Sequence, residues 1–103
     1  MNRLQALEEL LKTDPQDPLI RYGLANEYFK AGNYQACIEQ INAYLSLAED
    51  EGAVYRTLAK AFLNLGDKQQ ARKAYEAGIE AARKHNHSSM VEEYLEAIEY
   101  DLQ

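Results

Sequence analysis

Seven positions recur at a lag of thirty-four residues: Leu24, Ala25, Tyr28, Gly32, Cys37, Ile41 and Leu45 return as Leu58, Ala59, Phe62, Gly66, Ala71, Tyr75 and Ile79. A repeat of that length with helical spacing inside it describes helix pairs stacked on one another, because no single pair can bury its apolar face alone. Such stacks hold other molecules far more often than they transform them.

The local signals agree. Leu4, Leu7, Leu10 and Leu11 predict an amphipathic helix over 2–12, ending before Thr13-Asp14-Pro15. Asp17 followed by Pro18 is a helix start, since the carboxylate accepts from free backbone amides and proline gives up an N–H that has no partner there. Gly32-Asn33 and Gly66-Asp67 each close one helix and cap the next. Helices are therefore expected over 18–30, 34–47, 51–64 and 68–84, with turns too short for anything but antiparallel neighbours. Ser89 stands three residues before Glu92, a capping-box spacing. The final helix it opens carries Met90, Val91, Tyr94, Leu95, Ile98 and Leu102 inside, with Glu92, Glu93, Glu96 and Glu99 outside.

At these positions the chain resembles the tetratricopeptide repeat family. Leu24-Ala25, Tyr28, Gly32-Asn33-Tyr34, Cys37, Ile41 and Tyr44-Leu45 follow the family pattern in one unit, and Leu58-Ala59, Phe62, Gly66-Asp67, Ala71, Tyr75 and Gly78-Ile79 in the next. Tyr55 sits where the family prefers Trp, while Arg21 departs from an expected aromatic, and Glu49 and Arg83 from the closing proline. The resemblance implies an all-α fold, a right-handed α-solenoid of antiparallel helix pairs with about six helices. Its expected organisation is a single domain over 1–103: a half-repeat helix (1–15), two full repeats (18–51 and 52–85) and a C-terminal capping helix (88–103).

Function follows from which side chains the core leaves over. Opposite Leu24 and Tyr28, the helix after Pro18 carries a second stripe of Leu19, Tyr22, Asn26, Phe29 and Lys30. The corresponding line in the next repeat includes Arg56, Lys60, Leu63 and Asn64. In tetratricopeptide proteins such positions line a concave groove for an extended peptide or a helix, so the expectation is a noncatalytic protein-interaction module. Its ligand would carry apolar anchors and an acidic or C-terminal carboxylate for Arg56 and Lys60. A chaperone-tail adaptor is not expected: of the carboxylate-clamping set that the resemblance would supply, only Asn26 matches, with Tyr22 and Thr57 replacing other members.

Charge sharpens these expectations. The net charge of −6 leaves no overall basic footprint for nucleic acid or an anionic membrane. Residues 1–51 carry nine acids and four bases, 52–84 three acids and seven bases, and 85–103 five acids and no base. A basic middle between acidic flanks motivates the alternatives, a homodimeric structural or assembly protein or an accessory subunit of a larger complex. No enzyme constellation or cofactor motif is present: His85 and His87 lie in a turn without metal-ligand spacing, Cys37 occupies a small buried repeat position, and no glycine-rich phosphate loop occurs. One cysteine excludes an internal disulfide, no basic-then-apolar leader opens the chain, and no apolar run approaches the ~20 residues of a membrane span, so a cytoplasmic location is expected.

Overall fold

A computed structural model describes all residues, Met1–Gln103, as six helices without strands: α1 (Arg3–Thr13), α2 (Pro18–Lys30), α3 (Tyr34–Leu47), α4 (Ala53–Asn64), α5 (Lys68–Lys84) and α6 (Ser88–Asp101). They form two compact three-helix units, Met1–Glu49 and Asp50–Gln103. None of the helices is long and apolar enough to cross a membrane.

The punctuation predicted from the repeat is built as expected. Gly32 and Gly66 take φ of 78° and 79°, a left-handed conformation that a side chain would strain. Each then closes its helix, with the next N–H reaching back across the turn: Asn33 to the Tyr28 carbonyl and Asp67 to the Phe62 carbonyl, both at 2.9 Å. The same residues start the following helix, the Asn33 side chain accepting from the Ala36 N–H and Asp67 from the Gln70 N–H. Asn86, at φ 62°, repeats the closure at the end of α5, where His87 donates to the Ala82 carbonyl at 2.8 Å.

Two helix starts differ from expectation. α4 begins at Ala53 rather than 51, because Asp50 folds its carboxylate over the helix end and accepts from the Gly52 and Val54 amides at 2.8 and 3.0 Å. α6 begins at Ser88 with His87 as its cap residue, so Ser89 lies inside the first turn and forms no capping box. A reciprocal box exists instead at the start of α1, between Asn2 and Gln5.

In the first unit the core forms where α2 meets α3, around Leu24, Ala25, Cys37, Ile38 and Ile41, all buried. α1 lies against α2, with the Leu7 side chain over the position where Gly23 lacks a Cβ. Its capping contacts are polar: Arg3 pairs with Glu27 at 3.2 Å, and Tyr28 donates to Glu8 at 3.2 Å. Arg21 is held by Gln40 at 3.1 Å and the Pro15 carbonyl at 3.2 Å, which accommodates a cation at a position where the repeat usually places a ring.

In the second unit Val54, Leu58, Ala59, Ala61, Ala71, Ala74, Tyr75, Ile79 and Ala82 are buried between α4 and α5. α6 closes this pair with Tyr94, which is wholly buried. Leu95, assigned to the inner face by spacing, is instead 47% exposed, since α6 turns its apolar arc around Tyr94 and leaves Leu95 at the edge.

Candidate interaction surfaces

α2 is apolar on more than one side, and only one side can face the core. Ile20, Gly23, Leu24 and Ala25 take that side. The remaining stripe is graded in exposure. Leu19 stands 76% exposed, while Tyr22, Asn26 and Phe29 are half-buried. Tyr22 meets Tyr44 edge-on with centroids 5.0 Å apart, and Phe29 meets Tyr34 likewise at 5.4 Å. These contacts fix both rings in place and leave part of each available, a cheap way to present apolar area because no rotamer freedom is lost on binding. Lys30 is exposed and shares Glu27 with Arg3, its own contact being 3.3 Å.

In the second unit the expected cations have different surroundings. Arg56 is half-buried and forms a two-pronged pair with Glu93 of α6: Nε to Oε2 at 2.5 Å and Nη2 to Oε1 at 2.8 Å. Its guanidinium carbon also lies 5.7 Å from the Tyr94 ring centroid. The hydrogen bond from Arg56 is the main reason the Glu93 carboxyl sits below its ordinary pKa, with the charges of Arg56 and Lys60 adding to it and partial burial opposing. A carboxylate from another molecule would therefore meet Arg56 already engaged.

Lys60 is exposed and lines a cavity of about 310 Å³ together with Tyr75, Glu93, Glu96 and Tyr100. Tyr100 is 72% exposed. Leu63 is half-buried, and Asn64 turns its amide back to the Lys60 carbonyl at 2.8 Å, which uses one of its two N–H donors within α4.

Spacing put Tyr94 on the inner face of α6 and Glu93 on its outer face, but named a partner for neither. Glu93 reads as one of several acids on a wet face, and its pairing depends on how α6 lies across α4. A signal existed for Tyr94: Gly78 is an isolated glycine inside a long helix, and a Cβ there would stand 2.6 Å from the Tyr94 ring. The glycine is the seat of the ring.

His85 and His87 end up in different roles at the α5–α6 corner. His85 is the last cap of α5, and His87 Nε2 lies 2.8 Å from Glu51. No group of histidine, cysteine and carboxylate side chains is arranged to hold a metal ion. Cys37 is buried, and burial pushes its thiol up to about 11.

Comparison with known proteins completes the description. A model of the tetratricopeptide repeat family matches residues 1–82. The TPR repeat-containing protein PA0015 of Pseudomonas aeruginosa is 29% identical over 82 residues, which cover 80% of this chain and 78% of that protein. α6, at Ser88–Asp101, lies beyond the span the family model matches.

Proposed function

The chain belongs to the tetratricopeptide repeat family, whose members typically act as noncatalytic scaffolds for protein interaction, and from that premise we propose that it binds a peptide segment or helix of a partner protein. The observation that carries this reading is the outward stripe of α2. Leu19 is a large apolar side chain left 76% exposed beside two half-buried rings, Tyr22 and Phe29, that their neighbours hold rigid. Such a surface suits apolar anchors at alternate positions of an extended segment, or on one face of an amphipathic helix. Asn26 and Lys30 lie on the same stripe and supply polar contacts to the ligand backbone or to an acidic side chain.

On α4, taken by itself, the proposed contacts are Lys60, Leu63 and Asn64, with Arg56 joining only when a ligand carboxylate displaces Glu93. The α2 surface thus selects by apolar anchors and the α4 surface by charge. An exposed lysine contributes mainly to encounter and little to net affinity.

The test is a capture experiment from native extract using the intact chain beside a Leu19→Asp, Phe29→Ala variant and a Lys60→Glu variant, each checked by circular dichroism for native helix content. A partner retained by the intact chain and lost by the α2 variant supports the reading. Retention of the same partner by all three proteins excludes the α2 stripe as its site.

A further inference from the structure

The second unit carries most of its bases on α5, with the acids Glu76 and Glu80 among them, and a run of acids on α6, and these two helices define a surface that the peptide-binding reading does not use. On α5, Arg72, Lys73 and Arg83 are exposed and make no ion pair within the chain. On α6, Glu92 and Glu99 are exposed and equally without one. Arg72 and Arg83 are eleven residues apart, three helical turns, and so share one side of α5. Glu92, Leu95 and Glu99 share one side of α6 by the same argument.

The two sides open on the same surface. Arg83 and Glu92 line one cavity, of about 530 Å³, together with Asn86, His87 and Val91. At the other end the Lys68 ammonium donates to the Gln103 carbonyl at 2.9 Å, so the helices stay side by side along their length. The result is a face with an edge of net positive charge, on which Glu76 and Glu80 are also exposed, an acidic edge, and the 47% exposed Leu95 on the acidic one.

We infer that this α5–α6 face binds a second copy of the chain about a two-fold axis running parallel to the two helices. Such an axis places α5 of one copy over α6 of the other, antiparallel, because α5 and α6 are themselves antiparallel neighbours within one chain. Arg83 then comes opposite Glu92 and Arg72 within reach of Glu99, and symmetry repeats both pairs. Leu95 supplies apolar area beside them. Charge complementarity selects this occupant: each chain carries both members of every pair, and neither is satisfied inside it. Two helices offer a face of only about 25 Å in length, smaller than a standard interface, so the dimer is weak and its charges govern it.

The inference is independent of the peptide reading, since it uses neither α2 nor the face of α4 that carries Lys60, Leu63 and Asn64. It is tested by sedimentation velocity over a range of concentrations, at low and high salt, on the intact chain and two charge-reversed variants. One is Arg72→Glu, Arg83→Glu and the other Glu92→Lys, Glu99→Lys. The intact chain is expected to dimerise at low salt and to dissociate as salt screens the pairs over about 0.5 M. Each variant alone is expected to lose dimerisation by on the order of tenfold or more in Kd. An equimolar mixture of the two should form the heterodimer, because every reversed stripe then faces one of opposite sign, and this recovery also shows that both variants are folded. A monomer at all concentrations in low salt overturns the inference. So does a dimer that either variant forms as well as the intact chain, or a mixture that fails to associate.

Discussion

Tyr94 of α6 donates its phenolic hydrogen to the carbonyl oxygen of Gly52 at 2.6 Å, with the ring wholly buried over Gly78. One side chain thereby joins the start of α4, the middle of α5 and the body of α6. Tyr94→Phe should remove one of the two donors to the Gly52 carbonyl, which keeps the Tyr55 N–H at 3.2 Å, at a cost of about 0.5–1.5 kcal/mol. Tyr94→Ala should cost about 3–5 kcal/mol through the cavity it opens. Urea titrations followed by circular dichroism check both, and equal losses for the two variants would show that the hydroxyl, not the ring, dominates.

Glycines in helices separate by what faces them. Alanine at position 78 gains about 1 kcal/mol of helix propensity, but its methyl would stand 2.6 Å from the Tyr94 ring and 2.9 Å from the Tyr55 Cβ, neither of which can withdraw easily. Gly78→Ala should therefore be destabilising, by about 1–3 kcal/mol. At position 23 the added methyl meets the end of the flexible Leu7 side chain at 3.2 Å, so Gly23→Ala should cost clearly less. Thermal melts of the two single variants provide the comparison.

The Arg56–Glu93 pair should give the second unit an acid limb. Glu93 has its folded pKa lowered from 4.5, chiefly by the hydrogen bond from Arg56, so its contribution is present above pH 4.5 and is lost as pH falls through the lower folded value. At its partial exposure such a pair contributes about 0.5–1 kcal/mol. The stability difference between the intact chain and Glu93→Gln should accordingly shrink below pH 4.5, as measured by urea unfolding at several pH values.

Cys37 and Tyr94 act at the opposite limit. Burial raises the thiol to about 11 and the phenol to about 12, so both favour the folded state below their ordinary values and withdraw that support as pH rises through the raised ones. Stability should decline above about pH 9. At neutral pH the Cys37 thiol should react with a maleimide or a disulfide reagent only slowly in the native chain and rapidly in urea; equal rates would contradict its burial.

Much of the architecture was legible in particular residues. Gly32-Asn33 and Gly66-Asp67 mark turns that only a left-handed residue followed by a side-chain cap can make, and these are local demands that no distant contact alters. Ala25, Ala59 and Ala71 announce tight helix approach because a larger side chain would hold the helices apart. The second stripe of α2 was legible as a leftover of helical spacing, and Leu19 on it stands 76% exposed.

What the sequence determined by itself was thus the helix order, the turns and the inward faces of the repeats, because these depend on spacing within a few residues. Tertiary structure alone decided which partners the remaining polar groups found. Arg56 and Glu93 are thirty-seven positions apart, and only the lie of α6 across α4 brings them together. Leu95 was left at an edge because Tyr94 claimed the space over Gly78. Local propensity acts along the chain, whereas ion pairs and ring seats are settled by packing between helices.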